Sequence, residues 1–419
     1  MATTAIPRDT SRQDSLLDSS SLMNLSILIY GQGQMVWEVT RNLLLIGVKS
    51  IGIVPPLQSN HEANHFAFET IQKLNPECKI MLHSQVQSLQ ELKEIILPQY
   101  KICLMINILN KDHIVEINQA CRNHAGFIYG CNLGLYGNVF VDFGPEHVVK
   151  DPFKSQRTFP IMDLTKTPST IQIITEDLNC LLRPKKLIRL KGSNLSQNLQ
   201  EMTFPITKKN FLEEDKLTEI TLEVLPETDP LIFEPLDGRT CTNFELIVEP
   251  QKLTFDSFES SVSNPKINRD FEGTNKLSSR ILHELFRAVI TFYEKSSRLP
   301  TASDQPEFMN CYQGDLKTLP KEKITQFLQN IAFEFPPIAS LFGALLANEA
   351  LKISGTYMPL QQWLHFEELS CAAHSDLHSI DPLHKISQPF ASSSSHLLSN
   401  KVLKDLKYFF LYSLSPHLL

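Results

Sequence analysis

Leu28-Ile-Tyr-Gly-Gln-Gly-Gln-Met-Val-Trp-Glu-Val-Thr-Arg-Asn-Leu-Leu-Leu-Ile-Gly-Val-Lys-Ser-Ile-Gly-Ile53 is the stretch that decides the fold. Residues 25–30 are a short apolar run ending at Gly31, as a strand buried on both faces reads. A helix follows over 34–46, with Val36, Val39, Leu43 and Ile46 on one stripe and Gly47 placed to end it. Ser50–Val54 is the second strand. The alternation continues outward: a helix marked by Ala63, Phe66, Thr70 and Leu74, a strand at 80–82, a helix with Val86, Leu89, Leu92 and Ile96, a strand at 102–106, a helix over 112–124 and a strand at 127–129. Strand and helix in turn predict a mostly parallel, doubly wound α/β sheet covered on both faces.

The chain then changes character. Between 168 and 258 the apolar residues fall in short alternating runs (171–174, 220–225 and 244–248) separated by Pro, Asp, Asn and Gly, which predicts a small inserted antiparallel β domain. Helical periodicity returns with Ile281, Leu285, Ala288 and Val289 and persists through 320–353; Leu360–Phe366 reads as a late strand. The expected divisions are a flexible segment at 1–21, the first part of the α/β domain at 22–167, the β domain at 168–262, a helical segment at 263–330, the closing part of the α/β domain at 331–370 and a tail at 371–419. Ala391-Ser-Ser-Ser-Ser395 has linker composition, and the apolar stretch at 402–414 reads either as a docked helix or as a loosely held tail.

The 419 residues suit two or three domains. With 42% hydrophobic and 20% charged residues the composition is that of a soluble globular protein. A net charge of −7 speaks against binding through neutralised phosphates, so no nucleic-acid partner is expected, and Arg183-Pro-Lys-Lys186 reads as solvated surface. No run of 18 apolar residues occurs, so no membrane span is expected, and the polar amino terminus lacks the core of a signal peptide. Eight cysteines are scattered without a C-x-x-C pair, which suits neither a disulfide framework nor zinc and points to a reducing cytoplasmic or nuclear setting. The thirteen histidines, His113, His124 and His147 near element ends among them, have no metal spacing and read as structural or surface residues.

A nucleotide site in such a fold needs Gly where backbone approaches phosphate and an acidic residue after the second strand for the ribose. Gly31 and Gly33 fill two of the three positions of G-x-G-x-x-G, but the third is Val36. After the second strand stands Val54-Pro55-Pro56, without a carboxylate. The glycines therefore read as kept for a tight strand-to-helix turn.

The opening stretch resembles the first strand, turn and helix of the ubiquitin-activating family, within the ThiF-type adenylation superfamily. Gly134–Gly144 is similar to that family's strand pair after the fifth strand, Pro336–Gly355 to its late helix and Met358–Phe366 to its closing strand. The β insertion, ending at Glu249–Phe258, resembles the first catalytic-cysteine half-domain carried by single-chain members in their amino-terminal, inactive adenylation half. The resemblance covers roughly residues 11–370 and implies a Rossmann-like ThiF-type domain that is non-catalytic alone. It would pair with a catalytic adenylation domain or bind ubiquitin or a ubiquitin-like protein, meeting ATP and Mg only through that partner. Catalytic members carry a triphosphate-holding loop of arginine, glutamine and lysine after the second strand, and here only Leu57–Asn60 separate Pro56 from the next helix. The resemblance places the thioester cysteine in a domain expected after this stretch; Cys241 is the nearest candidate here and reads as a β-domain residue. Ser11-Arg12-Gln13 resembles the family's amino-terminal Ser-Arg-Gln, which implies that Arg12 reaches the partner's nucleotide in trans, whereas its serine-rich surroundings read as a flexible tail. The resemblance also implies a pseudo-symmetric interface, for which Phe335, Pro337, Leu341, Phe342 and Leu345 are the candidates. A helix apolar nearly all round is equally read as buried in its own core. The remaining readings are a divergent ATP-dependent adenylating enzyme, or a fragment without separate activity.

Overall fold

The computed structural model describes residues 22, 24–57, 71–122, 124–151, 158–167, 169–176, 182, 184–192, 201–212, 217–223, 241–268, 277–314 and 319–368. The helix expected around Ala63 and Phe66, the Arg12 segment, the serine-rich stretch and the terminal apolar segment lie outside them. Two compact units emerge: one runs to Val148 and resumes at Lys252, and the other spans Val149–Gln251.

The first unit is built on β1 (Ser26–Gly31), β2 (Ser50–Val54), β3 (Lys79–Leu82), β4 (Ile102–Ile106), β5 (Gly126–Leu133) and β6 (Tyr136–Asp142), with β16 (Trp363–Glu367) closing the sheet. Their spatial order is β16-β6-β5-β4-β1-β2-β3. The pairs β3–β2, β2–β1, β1–β4 and β4–β5 are parallel. The β5–β6 and β6–β16 pairs are antiparallel. Every residue of β2, β4 and β5 is buried, the condition for a parallel strand with helices on both faces. The strand order turns back between β1 and β4, which opens a crevice at their carboxyl ends.

Helix α1 (Gln34–Ile46) stops where expected: Gly47 takes a left-handed φ of 94° and returns its N–H to Leu43 O. The third expected helix is a composite over 89–99, labelled α2, with an α turn, a π segment (Leu92–Ile96) and a 3-10 turn (Leu97–Gln99). It starts later than Val86 because Ser88 caps it, accepting from Glu91 N at 3.1 Å. Pro98, which offers no N–H, accompanies its departure from regular α-helix. Helix α3 (Lys111–Cys121) begins at Asn110, whose side chain accepts from His113 N at 3.0 Å.

Helices α4 (Phe258–Ser263), α5 (Ser279–Ser296), α6 (Gln305–Met309) and α7 (Lys321–Gln329) share one core with the sheet rather than forming a layer of their own. Their junction is aromatic. Trp363 lies 4.8 Å from the Phe140 ring, 5.6 Å from Phe258 and 5.8 Å from Phe286, and its indole donates to Ser261 Oγ at 2.8 Å. Buried Asp142 ties the same region together, accepting from Arg122 at 2.6 Å, Asn118 at 2.8 Å and Gly144 N at 2.9 Å.

Helix α8 (Pro336–Leu351) covers the opposite face and packs against α1. Three glycines make room for it. A Cβ on Gly137 would collide with the Phe342 ring, one on Gly130 with Leu346, and one on Gly343 with Glu38 of α1. Leu341, Phe342 and Leu345 are buried in this chain's own core, and only Phe335, half-buried, and Pro337, exposed, reach the surface. The sheet and α1 fill the space around this apolar helix.

Strands β7 (His147–Val149) and β15 (Gln251–Leu253) straddle the two sequence boundaries of the second unit. Between them lie β8 (Thr158–Pro160), β9 (Asp163–Lys166), β10 (Thr170–Thr175), β11 (Leu187–Lys191), β12 (Phe204–Leu212), β13 (Leu217–Glu223) and β14 (Asn243–Ile247). They form an antiparallel sheet in the order β8-β14-β11-β12-β13-β10-β9. Its two edges are consecutive in sequence, and the connecting residues bond to opposite ends of the sheet: Ile161 N donates to Thr242 O at 2.9 Å and Met162 N to Ile174 O at 2.8 Å. The sheet thus closes into a barrel around Ile171, Ile173, Ile188, Leu190, Ile220, Leu222 and Phe244. Its first strands precede residue 168, since β8 and β9 supply the closure.

Phe342→Ala, which empties the space over Gly137, is expected to cost about 3–5 kcal/mol in urea unfolding. Pro337→Ala at the exposed first turn should stay within about 1 kcal/mol of the parent. Equal losses would place Phe342 outside the core.

Candidate functional site

The switch point between β1 and β4 brings the glycine turn to the mouth of the crevice. Gly31 ends β1 so close to β4 that a side chain would strike Ile106 O. Gly33 then takes φ 91° and serves as the N-cap of α1, with no side chain to cap the helix and no acidic residue in the first turn. Such a helix start leaves backbone N–H groups in need of acceptors and carries the positive end of the helix dipole.

Glu334 supplies the acceptor from 299 residues away. Its Oε1 accepts from Met35 N at 3.2 Å. A Cβ on Gly33 would stand 2.8 and 2.9 Å from the two carboxylate oxygens, so the carboxylate lies directly over the turn. Gly134 holds the segment there by bridging Glu334 alongside the end of β5.

Asn107, at a left-handed φ of 54°, completes the rim. Its Nδ2 donates to Gln32 O at 3.2 Å and its Oδ1 accepts from Asn132 N at 2.8 Å. Asn132 is only 7% exposed, and neither atom of its amide has a hydrogen-bond partner among the described residues. Glu334, Asn107 and Asn132 were not legible as site residues, because their meeting depends on the β1–β4–β5 register and on the approach to α8. An Asn directly after β4 is the one local hint, since Asn tolerates a left-handed backbone.

These residues do not fit a nucleotide phosphate. The helix start that would receive it already holds a carboxylate, and two like charges at that distance repel. Val54 ends β2 buried, Pro55 and Pro56 follow, and among the described residues nearby His83 Nε2 and Tyr100 Oη lie 2.8 Å apart, with the Tyr100 hydroxyl over Gly52.

The described cysteines, Cys78, Cys103, Cys121, Cys131, Cys241 and Cys311, are all free and buried. Burial pushes the Cys131 thiol up to about 12 and those of Cys78 and Cys241 up to about 11. Cys241 lines the barrel core. Cys180 and Cys371 lie outside the described residues. No group of three metal-ligating side chains occurs among the described residues, and no described helix is long and apolar enough to cross a membrane. His113 is half-buried, His124 exposed, and His147 buried against Phe143 at 5.0 Å.

One histidine pair is buried completely within the first unit. His283 Nε2 faces Val262 O at 2.9 Å and must donate to it, so Nδ1 accepts from His365 Nε2 at 3.0 Å. Both rings are neutral in this arrangement. Burial holds His283 below the usual histidine range and His365 well below it, with the second ring adding to the effect on His365.

No protein-family model matches the chain. Among curated proteins it is 21% identical over 373 residues to ubiquitin-activating enzyme E1 1 of Candida albicans, an alignment covering 83% of this chain and 35% of that protein. It is 24% identical over 393 residues to ubiquitin-activating enzyme E1 2 of Triticum aestivum, covering 83% and 34%. Against ubiquitin-like modifier-activating enzyme 7 of Homo sapiens it is 23% identical over 399 residues, covering 86% and 38%. Its relatives are thus ubiquitin-activating enzymes, and the chain spans about a third of the length of those it matches.

The depressed histidines make stability depend on pH. Unfolding raises their pKa to about 6.5, so the unfolded chain binds the extra protons and stability falls as pH drops below that value. The urea midpoint is expected to be level above about pH 7 and to decline toward pH 5.5, each histidine contributing up to about 1.4 kcal/mol per pH unit. His365→Phe should flatten the decline, and an unchanged slope in that variant would remove the pair as its source.

Proposed function

We propose that this chain acts in ubiquitin or ubiquitin-like modifier activation as a non-catalytic adenylation half, pairing with a catalytic adenylation domain or binding the modifier. The observation that carries the reading is the carboxylate of Glu334 on the α1 N-terminus. A Rossmann-like switch point that acts on ATP leaves that position to phosphate. The proline-lined end of β2 and the burial of the described cysteines add to it, and the relatives being ubiquitin-activating enzymes supplies the pathway. The adenylation chemistry, with its ATP and Mg, then belongs to the partner.

The ThiF-type assignment and the correspondence of the barrel unit to the first catalytic-cysteine half-domain belong to the same reading. The pairing surface includes the exposed start of α8, where Phe335 and Pro337 stand. Arg12, the resemblance's candidate for a contact to the partner's nucleotide, lies outside the described residues.

Three measurements test this. Isothermal titration of the purified chain with Mg-ATP is expected to give no binding in the micromolar range, and micromolar affinity would instead support a divergent adenylating enzyme. Incubation with ubiquitin and ATP should yield no reductant-sensitive adduct on the chain alone. Addition of a catalytic adenylation domain should give a complex by sedimentation; its absence would leave the chain without the proposed role.

A further inference from the structure

We infer that Glu334 is a built-in substitute for a ligand phosphate: the crevice at the carboxyl ends of β1, β4 and β5 remains an anion site, held shut by the chain's own carboxylate. This rests on the reading that the chain does not act on ATP and explains what closes the site.

Three independent observations converge on it. First, the turn retains the geometry for phosphate: Gly33 at φ 91° carries no side chain, and α1 has neither a capping side chain nor an acid of its own in its first turn. Second, the acceptor that fills this need comes from a distant segment and is itself solvent-exposed. Where another helix of this unit has a side-chain cap, it comes from the adjoining residue, as Ser88 for α2, Asn110 for α3, Ser257 for α4 and Ser278 for α5. Third, Asn132 keeps both amide atoms buried and unpartnered among the described residues. Side chains alternate along β5, so Asn132 lies on the same face as Gly130, which α8 covers, and nearer the carboxyl end of the strand. It therefore faces the region where the Glu334 segment runs. A buried amide costs free energy unless something bonds it, and a phosphate oxygen at the turn would be such an acceptor for its N–H group. With Glu334 in place, like charge excludes that ligand.

The closing experiment uses the full chain with pyrophosphate as probe and adenosine as the control that lacks phosphate. Wild type is expected to show no calorimetric binding and no change in melting temperature with pyrophosphate. Glu334→Ala should melt at a lower temperature, because α1 loses its acceptor, and pyrophosphate should restore part of the loss by binding the native state. Its affinity for pyrophosphate should rise at least tenfold over wild type, with adenosine inert. Should the alanine variant not fold, Glu334→Gln keeps an acceptor for Met35 N–H without the charge, and its pyrophosphate affinity must likewise exceed that of wild type. A folded variant that binds pyrophosphate no better than wild type overturns the inference and leaves the non-catalytic reading untouched. Micromolar Mg-ATP binding by wild type would overturn that reading and the inference with it.

Discussion

Phe342 and Leu346 reach into the space that Gly137 and Gly130 leave above the sheet, while Gly343 lets the backbone of α8 approach Glu38 of α1. This interlock sets the depth and the rotation of α8. A helix that is apolar on nearly every side has no preferred face of its own, and hydrophobic burial alone would allow it to roll. Notches of glycine matched by a ring and a branched side chain remove that freedom, since close-packed interiors tolerate neither overlap nor void. Because Phe335 opens α8, fixing the helix also fixes the segment before it, and Glu334 comes to lie on the start of α1.

The electrostatics of the crevice follow from that placement. The positive end of α1, the natural seat for an anion in a doubly wound sheet, faces an internal carboxylate instead of a ligand. The same contact ties α1 to the segment that leads into α8, so it serves as a long-range cap. Asn107 does comparable work across the switch point, bonding the turn on one side through Gln32 O and β5 on the other through Asn132 N. The turn is thereby held from both sides by side chains that come from other elements.

On the opposite face the closure is aromatic and polar together. Trp363 stands in β16, the last described strand, at the meeting of Phe140, Phe258, Phe286 and His283. Asp142, Asn118 and Arg122 bind the loop before α4 through Phe258 N at 2.8 Å and Phe255 O at 3.0 Å. A buried carboxylate is tolerable because every oxygen is bonded and one partner is a guanidinium. The chain thus returns after the barrel unit and is fastened to the strand it left.

Much of this architecture was legible in the residues themselves. Apolar runs of five or six residues, helical stripes between them and a glycine after Ile46 are local signals, and periodicity reads them because each depends only on near neighbours. That Val54-Pro55-Pro56 carries no carboxylate is likewise read from residue types alone. Other features depend on residues far apart and had no such signal. The barrel closes through Ile161 and Met162, whose short flanking strands carry too few residues for a clear alternation. Phe342 is as apolar in a core as at an interface, and only the glycine notch of the facing strand shows its place. Glu334 reads in sequence as one more charged residue before a helix; what makes it a cap and a plug is the 299-residue separation that the β1–β4–β5 register and the docking of α8 bring to hydrogen-bond distance.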